Sequence, residues 1–283
     1  MTKYGLIGHP ISHSGSPDLF ARAYGGRWPY DLIKGEDFEV SWQRFLSEYQ
    51  AINITAPFKE DAFRKILEIG VIGGGNICGV SPGQSGDDIL LAIGAVNIAV
   101  KEADGLVHGY NSDYLGVLKI LRDRGFGPGH TAVVAGFGGA GKAAAAAARA
   151  AGMDVVICNR TRYSPDIRPL EELPILCCVA DILIYTLAFP VQGLDSILNS
   201  REGVCADSRK ISAGSIPESR RPAAILEANY RTPCLASAFA DPDSASRSQG
   251  SSGPCYIPGT EWLRAQAVTG YPLMTGCPVS PAL

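Results

Sequence analysis

Thr131-Ala132-Val133-Val134-Ala135-Gly136-Phe137-Gly138-Gly139-Ala140-Gly141, followed by the alanine-rich run 142–151, is the stretch that decides the fold. Five apolar or β-prone residues read as a short buried strand. The alanines are strong helix formers. Between them stands G-x-G-x-x-G in the strand–turn–helix setting that gives the motif its meaning. Gly136 makes the tight turn, Gly138 lets backbone approach a diphosphate, and Gly141 lets the helix pack on the strand. The helix start, with Gly139 and Ala140, then offers unpaired N–H groups to phosphate oxygens.

The next strand, 154–159, ends at Asn159, about 20 residues after the first glycine, where an NAD-binding chain places Asp or Glu on the ribose 2′-hydroxyl. This chain has Asn159-Arg160-Thr161-Arg162 instead. Two guanidiniums and a hydroxyl suit a 2′-phosphate, so the expected cofactor is NADP (NADPH). Two solvated surface arginines are the ordinary alternative. The glycine turn at the right distance favours the cofactor.

Working outward, apolar runs of strand length alternate with helical spacing. Strands are expected at 3–8, 30–34, 51–55, 95–100 and 105–110 in the first half, and at 131–135, 154–159, 181–187, 203–207 and 223–228 in the second. Phe38, Trp42, Phe45, Leu46 and Tyr49 repeat at helical spacing, as do Tyr114, Val117, Leu118 and Leu121. Pro17 and Pro57 read as first-turn residues of helices, and a last amphipathic helix covers 260–271. Alternation of this kind implies parallel sheets with crossover helices. The expected architecture is α/β in two domains: an N-terminal substrate domain over 1–110, with the C-terminal helix 259–283 packing back on it, and a Rossmann-type NADP-binding domain over 111–258. The site is expected in a central cleft. Segment 241–254, rich in Ser and Gly, reads as a loop or linker.

Composition removes other classes. With 283 residues, 46% hydrophobic, and a net charge of −3, the chain has enough apolar surface for two cores and no global basic field for nucleic acid. No apolar run approaches the roughly 18 residues of a membrane span, and MTKYGLIGHP lacks a signal-peptide layout. A cytoplasmic location is the expected default. Eight cysteines and four histidines show no CxxC pair and no ligand spacing. The expectation is buried free thiols and no metal.

Four polar clusters in the first half remain: His13-Ser14-Gly15-Ser16-Pro17, Asn53-Ile54-Thr55-Ala56-Pro57-Phe58-Lys59, Gly94-Ala95-Val96-Asn97, and Gly109-Tyr110-Asn111-Ser112-Asp113. Each sits at a strand end or a helix start, where open α/β sheets carry their sites. Singly, each has an ordinary explanation: Ser16 as a cap before Pro17, Asp113 as a cap of its own helix, Lys59 as a surface charge. Together and in this order they resemble the shikimate dehydrogenase family. That family runs G-x-P-x-x-H-S-x-S-P, N-V-T-x-P-x-K, G-A-V-N-T, G-x-N-T-D-x-x-G, G-x-G-G-A, N-R-T and G-x-x-M-L-x-x-Q. The resemblance spans Gly5 to Gln266, and the closing motif reads Gly259-Thr260-Glu261-Trp262-Leu263-Arg264-Ala265-Gln266.

The resemblance implies NADPH-dependent, reversible reduction of 3-dehydroshikimate to shikimate, in aromatic amino-acid (chorismate) biosynthesis. It implies Ser14 and Ser16 on the substrate carboxylate, and Asn53, Thr55, Asn97, Asp113, Tyr230 and Gln266 around the ring. It implies Lys59 as the acid/base residue with Asp113 beside it, and Gly259 on the cofactor side with the glycine turn. The implied partners are a small-molecule substrate and, as assembly, a monomer or homodimer. Departures lie on the cofactor side. The family's N-A-T-S-x-G segment is replaced by Ile184-Tyr185-Thr186-Leu187-Ala188-Phe189-Pro190, and its D-x-x-Y-x-P-x-x-T-P-L-L becomes a shorter Glu227-Ala228-Asn229-Tyr230-Arg231-Thr232-Pro233-Cys234-Leu235. Ile98, Ser112 and Trp262 stand where the family has Thr, Thr and Met. Two alternatives stay open: a quinate-type dehydrogenase on a related cyclic hydroxy-acid, and a weakly catalytic NADP-binding sensor.

Overall fold

The computed structural model describes residues 2–69, 71–72, 86–199, 222–239 and 254–283. The expected strand at 203–207 and all but Pro254 of segment 241–254 lie outside the described residues. The chain forms two compact units, Met1–Ile120 with Arg264–Leu283, and Leu121–Leu263. The division at 120/121 falls later than the expected 110/111. The physical reason is that the helix following residue 110 begins inside the first unit, with its first turn held by Lys59.

The first unit contains β1 (Tyr4–Gly8), α1 (Ser16–Tyr24), β2 (Tyr30–Lys34), α2 (Phe38–Glu48), β3 (Ala51–Ile54), α3 (Lys59–Ile69), β4 (Val71–Ile72), α4 (Gly86–Ile93), β5 (Ile98–Lys101), β6 (Val107–Tyr110) and most of α5 (Ser112–Asp123). Its sheet runs β2-β1-β3-β5-β6-β4. β1 is parallel to β2 and β3, while β5 is antiparallel to β3 and β6. Because β5 runs the other way, its start lies at the same end of the sheet as the carboxyl ends of β1, β3 and β6. That end collects all four polar clusters. On one face, α2 packs Trp42 and Phe45 against Ile7, Ile52 and Ile54, all buried. Its start is capped by Asp37, whose Oδ1 accepts from Val40 N at 2.9 Å. Burying a side chain of this size contributes roughly 1.5–3 kcal/mol, so Trp42→Ala is the single change that would most damage this layer. Pro57 lies in the turn ahead of α3, in cis with Ala56, and not in the first helical turn where it was expected. Phe58 N donates to Thr55 O at 3.0 Å and closes that turn.

The second unit contains β7 (Thr131–Ala135), α6 (Gly139–Ala150), β8 (Asp154–Asn159), β9 (Ile167–Pro169), α7 (Leu173–Leu176), β10 (Ile182–Tyr185), α8 (Leu194–Asn199), β11 (Ala224–Glu227), α9 (Ala236–Phe239) and β12 (Cys255–Ile257), and α10 (Gly259–Thr275) begins in it. Its sheet runs β12-β11-β10-β7-β8-β9 with every pairing parallel. Numbered from the glycine-turn strand, that is the 3-2-1-4-5-6 order of doubly wound dinucleotide-binding sheets, with its switch point between β7 and β10. Ala143, Ala144, Ala147 and Ala148 of α6 are fully buried. Side chains this small let the helix lie close over the sheet.

Cys158 and Cys177 are buried free thiols and Cys255 is an exposed one. Cys178 departs from expectation: it is disulfide-bonded, a pairing no sequence spacing reveals. Among the described residues no group of three or more His, Cys, Asp or Glu could hold a metal ion, and no helix is long and apolar enough to cross a membrane.

Candidate active site

The polar clusters of the first unit converge because backbone bonds draw their loops together. Thr55 N donates to Ile7 O at 2.9 Å, Ile54 N to Asn97 O at 2.8 Å, Asn97 N to Tyr110 O at 3.0 Å, and Val96 N to Lys59 O at 3.0 Å. A β-carbon on Gly8 would stand 2.4 Å from the Thr55 methyl, so glycine there is what allows β1 to end against the β3 loop.

Lys59 opens α3 and Asp113 sits in the first turn of α5. Lys59 Nζ donates to Asp113 Oδ2 at 2.6 Å, with side chains 25% and 8% exposed. Asp113 is free to do this because Asn111 performs the capping. Asn111 Oδ1 accepts from Tyr114 N at 3.0 Å, and its Nδ2 donates to Ala95 O at 2.9 Å. Asp113 is therefore not the cap of its helix, and Lys59 is not a solvated surface charge.

Ser14 and Ser16 are half-buried, and Ser14 Oγ donates to Ser16 Oγ at 3.0 Å, so two hydroxyls meet at one point. Ser16 does not cap α1. Gly15 holds the cap position, with no side-chain bond there. Asn53 accepts at Oδ1 from Tyr30 OH at 2.8 Å, which turns its Nδ2 donor the other way. Tyr30 also hydrogen-bonds Ser16, and burial pushes its phenol well above the usual range, so it stays a donor. Asn97 is buried, with Oδ1 accepting from Ser112 N at 2.6 Å. Gln266 and Gly270 share one face of α10 at i,i+4 spacing. A β-carbon on Gly270 would meet Ile98 Cδ1 at 2.7 Å and Ser112 Cβ at 3.0 Å, so that face lies against the start of β5 and α5. The sequence singles out no role for Tyr30, and none for Asn111 beyond its place in a polar cluster. Both act through partners distant in sequence, or through a capping role that any Asn at a helix start could take.

In the second unit the glycines divide by cause. Gly136 has φ +97°, and a β-carbon on Gly141 would stand 2.1 Å from Gly136 O. The chain's own packing demands both. Gly138 and Gly139 are exposed, and β-carbons on them would meet nothing within 4 Å. Protein packing does not require glycine there, whereas close approach of a ligand to the backbone does. The α6 start has no side-chain cap and no acidic residue in its first turn, which leaves its N–H groups, around Ala140, for an anion. These residues fit a dinucleotide diphosphate.

Asn159 joins the turn to β8: its Oδ1 accepts from Phe137 N at 3.2 Å and its Nδ2 donates to Thr161 O at 2.8 Å. Arg160, Thr161 and Arg162 are exposed beyond it, with Arg162 Nε donating to Ile167 O at 3.0 Å. Tyr230 is exposed on 228–235. That segment is held by buried Glu227, which accepts from Leu235 N at 3.3 Å, from Cys234 N, and from Tyr256 OH at 2.6 Å. Gly259 starts α10 against this segment. A β-carbon on it would come within 2.8 Å of Ala228 O and Tyr230 N.

A doubly wound sheet with an uncapped glycine turn in one unit, and a lysine–carboxylate pair, hydroxyls and amides at one sheet end in the other, define a two-unit protein of the Rossmann-type dinucleotide-binding class. No family model matches the chain. The chain is 29% identical to shikimate dehydrogenase (NADP(+)) of Natronomonas pharaonis over 99% of its own length and 97% of that protein's. It is 30% identical to the Shewanella woodyi protein of the same name over 70% and 67%. The crystal structure of Thermus thermophilus shikimate 5-dehydrogenase in complex with NADP(H) and shikimate superposes with a TM-score of 0.65 at 25% identity, covering 100% of this chain and 96% of that one. Aquifex aeolicus shikimate dehydrogenase, at 21% identity and a TM-score of 0.67, shares the fold. The chain belongs to the shikimate dehydrogenase family.

Proposed function

We propose that the chain is an NADP-dependent oxidoreductase that reversibly reduces 3-dehydroshikimate to shikimate in the cytoplasm, as a monomer or homodimer. The observation that carries this is the 2.6 Å Lys59–Asp113 pair, set at the sheet end that also bears Ser14, Ser16, Asn53, Thr55 and Asn97. A lysine inside a ring of neutral hydroxyls and amides suits a polyhydroxy acid with one reacting oxygen.

Ser14 and Ser16 hold the substrate carboxylate, their adjacent hydroxyls both turning to donate to it. Asn53 gives its Nδ2 protons to a ring oxygen, since Tyr30 occupies its Oδ1. Thr55, Asn97 and, from α10, Gln266 complete the ring contacts. The glycine turn 136–141 holds the cofactor diphosphate, and Arg160 and Arg162 hold the 2′-phosphate. When bound, the cofactor's nicotinamide supplies the hydride that reaches the carbonyl carbon. Lys59 then stabilises the negative charge growing on the carbonyl oxygen and gives it a proton: the Nζ–H bond breaks and an O–H bond forms. Asp113 keeps Nζ in place throughout. In the reverse direction neutral Lys59 accepts the hydroxyl proton.

The test is absorbance-monitored NADPH oxidation by the purified protein with 3-dehydroshikimate, beside 3-dehydroquinate and NADH. Turnover with 3-dehydroshikimate and NADPH is the expected result. Turnover with 3-dehydroquinate alone would assign a quinate-type substrate, and none with either would refute the dehydrogenase reading.

A further inference from the structure

The switch point between β7 and β10 carries a residue that the glycine motif does not name. The β10 ladder continues one residue past Tyr185: Thr186 N donates to Ala135 O at 2.8 Å. Thr186 Oγ1 donates to the same oxygen, also at 2.8 Å. Ala135 is the last residue before the glycine turn. A β-carbon on Gly136 would stand 2.5 Å from Thr186 Oγ1, and one on Gly141 3.1 Å from it. The Thr186 side chain thus fills the room that two missing β-carbons leave. At the far end of the same segment, fully buried Tyr185 donates its phenol proton to Phe189 O at 2.6 Å. Segment 186–189 is pinned at both ends, in the place where the family's N-A-T-S-x-G departs in this chain.

We infer that Thr186 is a positioning residue for the cofactor diphosphate, locking the glycine turn onto β10 so that the N–H groups of 138–141 keep their aim. The inference rests on the NADP reading. Ligands of doubly wound sheets lie at the carboxyl ends of the strands flanking the switch point, and Thr186 bridges those two strand ends. Four of the six residues of the turn it supports, 136–141, are glycine, the residue with most backbone freedom to lose. An external wall is therefore what keeps it in one conformation. The Thr186 hydroxyl proton is committed to Ala135, so its effect on the cofactor runs through the turn. NADPH and NADH share the diphosphate, so Thr186 serves both alike, whereas Arg160 distinguishes them.

The experiment is calorimetric titration of the full-length protein with NADPH and with NADH, without substrate, and with melting curves for each variant. Thr186→Val keeps the shape and removes the hydroxyl. Losing one committed hydrogen bond should weaken both cofactors by the same factor, about tenfold. Thr186→Ser restores the hydroxyl and should bind both within about twofold of the native protein. Should the valine variant not fold, Thr186→Ala carries the same expectation. An unchanged Kd with a lowered melting temperature, or a loss confined to NADPH, would overturn the inference. A native protein that binds neither cofactor would overturn the NADP reading itself, a separate and distinguishable failure.

Discussion

Replacing Lys59 and Asp113 in turn separates proton donation from positioning. The pair is 2.6 Å long, and Asp113 is nearly closed to water. Lys59→Ala removes the donor, and a positioned acid/base group is worth roughly 10²–10⁴-fold in rate. Its KM should change little, because Lys59 acts mainly on charge that develops in the transition state. Asp113→Asn leaves the donor but turns an ion pair into a bond between the ammonium and a neutral amide oxygen, still charge-assisted but weaker by part of the roughly 1.5–3 kcal/mol such bonds are worth. The difference, about 1 kcal/mol or slightly more, corresponds to a kcat loss of roughly tenfold. The double variant Lys59→Ala/Asp113→Asn should fall no further than Lys59→Ala, because Asp113 works through Lys59. Lys59→Arg keeps the charge but holds its proton too tightly to give it up near neutral pH, and should stay inactive. The assay is NADPH oxidation with saturating 3-dehydroshikimate, with kcat and KM resolved for each variant. Near-normal kcat in Lys59→Ala, or a double variant whose loss is the product of the single losses, would refute the division of labour.

Replacing both Arg160 and Arg162 with alanine should weaken NADPH by at least about tenfold, from charge-assisted contacts of roughly 1.5–3 kcal/mol each, and leave NADH unchanged. Equal affinity of the native protein for the two cofactors would remove the basis for this. Ser14→Ala and Ser16→Ala should each raise KM for 3-dehydroshikimate by about tenfold or more at similar kcat; a fall confined to kcat would point away from carboxylate binding. Burial pushes the Cys158 thiol from its ordinary 9.0 up to about 12. It therefore stays a thiol at pH 8, and a thiol-reactive reagent should label exposed Cys255 before buried Cys158, read by mass spectrometry of the folded protein. Because the folded value is the raised one, the stability tied to this thiol is whole below pH 9.0 and declines as pH rises toward about 12. A Cys158→Ala variant should lose less stability than the native protein across that window.

Legibility followed the range of the cause. The glycine turn, the apolar runs of five or six residues and the long amphipathic helices are local patterns, and β7, α6, β8, α2 and α5 stand where the spacing put them. β4, β9 and β12 have two or three residues each, too few to show any period. The bounds of the two units were also out of reach, because a helix's membership depends on what its first turn touches.

The site divides the same way. Which residue types gather, and in what order, was written in the chain: Lys59, Asp113, the serine pair and the amides each have an ordinary explanation singly and stand out because together, in this order, they resemble the family's motifs. How they act was decided by the tertiary structure. Asn111 takes over the capping and so frees Asp113 for Lys59. Tyr30, from a neighbouring strand, sets which face of the Asn53 amide is offered. Thr186, from across the switch point, fills the space beneath a turn whose own motif contains no trace of it. The sequence determined the chemistry available, because side-chain type and local period are carried by neighbours along the chain. Only the folded sheet decided orientation and partnership, because strands that meet in space are brought there by crossovers whose pairing no local pattern encodes.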